Sequence, residues 1–169
     1  MNYFELFDIP VQLKVNKSTL PVKYFELSRK YHPDFFINAA ESEQAEALEK
    51  SALLNKAFKT FQNPDATIKY VLQLKGLLEE EEKYELPADF LMEVMEINEA
   101  LMDADQPGGD NTLKLRIEDL QSEIYEPVKK IVESYQEGIT TEKELLQVKE
   151  YYYKKKYLER IREQLNGMA

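Results

Sequence analysis

The stretch Tyr24-Phe25-Glu26-Leu27-Ser28-Arg29-Lys30-Tyr31-His32-Pro33-Asp34 runs at helical spacing and then meets a proline that a helix cannot pass. Leu20, Tyr24, Leu27 and Tyr31 recur along one helical face, and the helix is predicted to start near Ser18 or Thr19, with Pro21 tolerated only because it falls in the first turn. A proline pushes the residue before it out of the helical region, so His32 leaves the helix. Asp34 can bond nearby backbone amides in the turn that follows. Local chemistry thus predicts a tight polar loop over residues 32–35.

Outward from that loop the pattern stays helical. A third helix is predicted from about Ala39 to Phe61, with Ala47, Ser51, Leu54, Phe58 and Phe61 on one face, ended by Asn63-Pro64. A short fourth helix from about Asp65 to Lys75 stops at Gly76. Before the loop, Tyr3 to Ile9 forms an apolar helical turn halted by Pro10. The acidic run Glu79 to Glu82 marks the expected domain boundary, giving a first domain at 1–76, a linker at 77–86 and a second domain at 87–169. The second half reads as helix, turn, helix, turn, helix. Pro107-Gly108-Gly109 marks one turn and Glu137-Gly138 the other, and Thr141 and Glu144 are spaced as a capping box. The middle helix carries Leu113, Ile117, Leu120, Ile124, Val128, Ile131 and Tyr135, with a kink expected at Pro127; the last buries Val148, Tyr151, Leu158, Ile161 and Leu165. Five glycines, seven prolines and no alternating β-branched runs leave little room for a sheet. The fold class is all-α, with an antiparallel three-helix bundle as the second domain.

Composition narrows the function. The 169 residues include no cysteine and one histidine, so disulfides, thiolate zinc sites and iron-sulfur clusters held by the chain's own thiolates are excluded, and no metal or cofactor is expected. No apolar run approaches the roughly 20 residues that cross a bilayer, and Met1-Asn2-Tyr3-Phe4-Glu5 lacks the layout of a signal peptide. A soluble cytoplasmic protein is expected. The formal charge of −10 argues against nucleic-acid binding, and it is uneven. Residues 1–76 hold ten Lys and Arg against nine Asp and Glu, whereas the remainder hold 12 against 23, so the two halves are expected to meet different partners. His32 and Asp34 could serve as an acid-base pair, but no second histidine, glycine-rich phosphate cradle or nucleophile motif accompanies them. An enzyme is not expected.

Tyr24, Leu27, Arg29, Lys30, Tyr31 and His32-Pro33-Asp34, followed by a helix ending Leu54-Asn55-Lys56-Ala57-Phe58-Lys59-Thr60-Phe61, resemble the J-domain family over about residues 1–76. The resemblance implies a helical hairpin whose loop engages a DnaK-type ATPase chaperone and stimulates its hydrolysis. His32, Pro33 and Asp34 would make the contact, with Lys23, Arg29 and Lys30 supplying positive charge. A rigid hairpin keeps the ordering entropy of that contact low, and the cations aid encounter and orientation. Two positions depart from the family pattern: Phe35 replaces the usual lysine after the tripeptide, and Thr67 stands where an arginine is expected.

In the second half, Phe90, Val94, Ile97 and Leu101 satisfy a bundle core, leaving Leu91, Met92, Met95 and Met102 over. Surplus apolar surface rich in adaptable methionine marks a binding face. Tyr153 lies about 200° around its helix from Tyr151, so it is expected to point away from the core as an interface anchor. The plainer reading has these residues sealing against the first domain or a second copy. An N-terminal J-domain opening Tyr3-Phe4-Glu5-Leu6-Phe7, joined to a bundle containing Phe90-Leu91-Met92-Glu93, is similar to the HscB-type iron-sulfur co-chaperones. That similarity implies delivery of an IscU-type scaffold protein to an HscA/DnaK-type chaperone, with Leu91, Met92, Met95, Glu96, Glu99 and Tyr153 on the scaffold-binding surface. A J-protein serving another client and a purely structural helical protein remain the alternatives.

Overall fold

The computed structural model describes residues 1–103 and 111–167, and every regular element among them is helical. The chain divides into two compact units, Met1–Leu74 with Tyr135–Ile139, and Lys75–Ser134 with Thr140–Ala169.

The first unit begins with α1 (Tyr3–Phe7), whose N-terminus is closed by a capping box in which Asn2 Oδ1 accepts from the Glu5 amide at 2.8 Å. Its end comes earlier than Pro10: Asp8 adopts a left-handed conformation at φ 53°, which an aspartate tolerates, and stops the helix there. α2 (Leu20–Lys30) and α3 (Glu41–Gln62) pack on one another, and α4 (Pro64–Leu74) packs on α3. Asn63 launches α4 through its side chain, which accepts from the Asp65 and Ala66 amides at 3.0 and 3.1 Å. Gly76, at φ +70°, follows its end. The core is strongly aromatic. Phe61 lies 4.9 Å from Phe4 and 5.3 Å from Phe7 between ring centroids, and each fully buried phenylalanine contributes roughly 1.5–3 kcal/mol.

The second unit holds α5 (Ala88–Asp103), α6 (Asn111–Tyr125), α7 (Lys129–Glu133) and α8 (Glu142–Gly167) as an antiparallel three-helix bundle in which α6 and α7 share the middle position. Pro127 does more than kink that middle helix. It sits in a 3₁₀ turn, Glu126–Val128, which separates α6 from α7. The interruption resets the register, so Val132 rather than Ile131 is the buried residue of α7. All five residues expected on the inner stripe of α8 are buried, and Leu145 and Tyr152 join them. The capping box at its start is present: Thr141 Oγ1 accepts from the Glu144 amide at 3.1 Å, and Glu144 Oε1 accepts from the Thr141 amide at 3.0 Å. The turn read at Pro107-Gly108-Gly109 lies outside the described residues.

Residues 77–86, read from the sequence as a linker, are packed within the second unit. Leu78 is buried, Glu81 makes a left-handed turn at φ 57°, and Glu82 meets the Lys149 ammonium of α8 at 2.6 Å.

Candidate functional site

Two braces hold the ends of α2 and α3 in register. Tyr24 stacks on Phe58 with centroids 4.3 Å apart, and its hydroxyl donates to Asn55 Oδ1 at 2.7 Å. Tyr31 has two ammonium groups near its ring, with Lys30 Nζ at 5.4 Å and Lys50 Nζ at 5.3 Å from the centroid. Lys50 is in turn anchored by Glu46, whose hydrogen bond holds the ammonium above its ordinary pKa.

His32 stands at the end of this pair in extended backbone, φ −65° and ψ 132°, as a residue before proline must. The turn Pro33–Phe36 is one length of 3₁₀ helix, closed by the Phe35 amide donating to the His32 carbonyl at 3.1 Å. The Asp34 amide donates to His32 Nδ1 at 3.2 Å. An accepting Nδ1 leaves the neutral ring's proton on Nε2, and the 3.6 Å approach of Asp34 Oδ2 becomes an ion pair only when the ring gains a second proton. Gln44 ties the far side of the loop to α3 by donating to the carbonyls of Ile37 and Ala39 at 3.1 and 3.2 Å. His32, Pro33 and Asp34 are all exposed. They form a stiff, solvent-facing turn.

The flanking cations are less alike than the sequence suggests. Arg29 and Lys30 are exposed on the last turn of α2. Lys23 is half-buried, and its ammonium donates to the carbonyls of Phe7 and Asp8, both at 3.1 Å, closing the C-terminus of α1. Phe35 is 72% exposed, edge-on to His32 at 6.4 Å. Thr67 is buried at 1% exposure, and its hydroxyl lies 3.0 Å from the carbonyls of both Thr60 and Asn63. Position 67 therefore faces the core, where a guanidinium would be unsolvated.

In the second unit, Met92, Met95 and Met102 are 65%, 57% and 81% exposed, Leu91 is half-buried, and Glu96 and Glu99 are exposed. At about 100° per residue, Leu91, Met95 and Met102 fall within about 40° of one another, with Glu99 and Met92 next around the helix. Glu96 lies further round, where its carboxylate accepts from Arg116 of α6 at 2.8 Å. Tyr153 does point away from the core, yet it is not free. It is half-buried, stacked on Tyr84 with centroids 4.6 Å apart and planes 5° from parallel. Burial, reinforced by the carboxylates of Glu82 and Glu80, pushes its hydroxyl up to about 12. Sequence periodicity could not reveal Tyr84, because a stacking partner outside any helix leaves no periodic trace. Among the described residues no cluster of His, Asp and Glu could hold a metal, and no helix is long and apolar enough to cross a membrane.

An exposed His-Pro-Asp turn on a braced helical pair, followed by a helical bundle with a methionine-rich outer face, is an all-helical arrangement similar to that of solved HscB co-chaperones. A family model described as the HSCB C-terminal oligomerisation domain matches residues 86–166. The co-chaperone protein HscB homolog of Shewanella amazonensis is 42% identical over 111 residues, which are 63% of this chain and 64% of that relative, so the match spans a little under two thirds of the relative's length. Human HscB superposes at a TM-score of 0.79 with 29% identity, covering 98% of this chain and 81% of the human one. The chaperone HscB of Vibrio cholerae superposes at 0.65 with 25% identity, covering 98% and 96%. The chain is thus similar to solved HscB co-chaperones in fold over nearly its whole length, and to the HSCB C-terminal domain over residues 86–166.

Proposed function

We propose that this chain is an adaptor in iron-sulfur cluster assembly: it binds an IscU-type scaffold protein through the outer face of the bundle and delivers it to an HscA/DnaK-type chaperone, whose ATPase it stimulates. Residues 1–76 act as the J-domain and 87–169 as the scaffold-binding domain, and the chain works in the cytoplasm without a cofactor or catalysis of its own. His32, Pro33 and Asp34 contact the chaperone, with Arg29 and Lys30 supplying the positive approach surface and Lys23 of α2 adding charge from where its ammonium is held against the end of α1. Leu91, Met92, Met95, Glu96, Glu99 and Tyr153 form the scaffold surface.

The observation that carries this reading is the exposure of a rigid three-residue turn at the tip of a cross-braced helix pair. Its groups are already fixed by the His32–Asp34 bond and the Gln44 ties, so little ordering entropy opposes docking. The test is the ATPase rate of the chaperone with this chain and the scaffold added singly and together. Asp34→Asn removes the charge at an exposed site, so stimulation is expected to vanish while the melting temperature stays unchanged; undiminished stimulation rejects the loop. Met92→Ala with Tyr153→Ala is expected to weaken scaffold binding about tenfold or more, since each removes a large contact group. Unchanged affinity in that variant rejects the surface. A J-protein for a different client would stimulate the ATPase yet fail to bind the scaffold.

A further inference from the structure

Glu82, Lys83, Tyr84 and Leu86, with the middle of α8, line a groove of about 330 Å³ that carries three tyrosine rings, Tyr84, Tyr153 and Tyr157, and three cations, Lys83, Lys156 and Arg160. Those cations are out of keeping with their surroundings. Beyond residue 76, acidic residues outnumber basic ones 23 to 12, and neighbouring cations of α8 are paired with them. Lys149 meets Glu82 at 2.6 Å, Lys154 meets Glu150 at 3.6 Å and Lys155 meets Glu159 at 3.3 Å. Lys83, Lys156 and Arg160 make no ion pair among the described residues. The nearest thing to a partner is the Tyr153 ring, 6.0 Å from the Lys156 ammonium.

The groove's own acid does not answer them. Glu82 has both oxygens engaged, Oε1 accepting from the Glu79 amide at 3.1 Å and Oε2 meeting Lys149, and this pairing pulls its carboxyl below the ordinary range. Three uncompensated cations around tyrosine faces suit a ligand with carboxylates for the rim and an apolar or aromatic side chain for the rings. A nucleic acid suits it poorly, because a line of phosphates needs cations at every step and Glu79, Glu80, Glu81 and Glu85 adjoin the groove along the chain.

The groove adjoins the start of α5. Leu86 lines it and leads directly into α5 at Ala88, and Tyr157 meets Phe90 edge-on at 6.5 Å. Resting on the scaffold-binding reading above, we infer that this groove docks an acidic segment of the scaffold, while the Leu91–Met95 patch takes its apolar contact. The surface then has a charge polarity, positive at Lys83, Lys156 and Arg160 and negative at Glu99, and that polarity orients the docked partner.

The experiment is calorimetric titration of the full chain with the purified IscU-type scaffold at low and high salt. Lys156→Glu with Arg160→Glu is expected to lose about tenfold or more in affinity at low salt and less at high salt, where exposed charges are screened. Lys114→Glu with Lys129→Glu, an equal charge change at exposed positions elsewhere in the bundle, is expected to stay within about twofold of the parent. A thermal melt establishes that both variants are folded. Parental affinity in the groove variant, or an equal loss in the control, overturns the inference while leaving the scaffold reading intact; so does light scattering that finds the groove variant merely breaking a self-assembly of the parent chain. Absence of any scaffold binding by the parent overturns the scaffold reading itself.

Discussion

At position 67 one hydroxyl lies within 3.0 Å of two carbonyls, those of Thr60 and Asn63, at the corner where α3 gives way to α4. The side chain is buried, so no water replaces it if it is lost. Thr67→Val keeps the shape and removes the donor, and is expected to cost about 1–2 kcal/mol in urea unfolding. Thr67→Arg places a charge in the same space and is expected to cost several times more. A valine variant as stable as the parent would show that the hydroxyl contributes nothing there. The sequence disclosed that the family's arginine is missing but not that the position faces inward, because a threonine carries no hydrophobic signature. Lys23 poses the same difficulty in reverse. A lysine on the predicted outer face of α2 reads as a free cation, and only the fold brings the end of α1 beneath its ammonium.

Whole helices were far more legible than the segments between them. The faces of α2, α3, α5 and α8 follow from apolar spacing alone, and the break after Tyr125 was marked by Pro127, although the pattern could not say that the register would reset at Val132. In segment 77–86 the run Glu79 to Glu82 reads as solvated, whereas Glu82 pairs with Lys149, a residue that no local pattern connects to it. That pair gives the segment a pH dependence. Glu82 is held below its ordinary value of 4.5 chiefly by the hydrogen bond with Lys149, so the unfolded chain binds this proton more readily than the folded one. Its contribution is fully present above that ordinary value and is lost as pH falls through the depressed folded one. Melts of the parent and Glu82→Gln are expected to differ by a constant amount near neutrality and to converge below about pH 4.5. A difference that persists unchanged into acid would remove the carboxylate from this role.

The whole molecule joins two surfaces of opposite character, a near-neutral first half with an exposed polar turn and a second half carrying a net charge of −11 and a methionine-rich face. Neither surface alone explains why they share a chain. In the adaptor reading, the covalent link makes the second encounter intramolecular, so scaffold held by the bundle meets the chaperone at an effective concentration far above its bulk value. Point variants test this without cutting the protein. Asp34→Asn disables the turn and leaves the bundle; Met92→Ala with Tyr153→Ala does the opposite. If tethering matters, an equimolar mixture of the two full-length variants cannot restore the joint stimulation of the ATPase by chain and scaffold, because no single molecule holds both competent surfaces. Stimulation by the intact chain is expected to exceed that of the mixture most at low protein concentration and to approach it as concentration rises toward the effective molarity of the tether. Full recovery in the mixture at low concentration would mean that the two surfaces cooperate across separate molecules, and the adaptor would then have to act as an oligomer rather than as one chain.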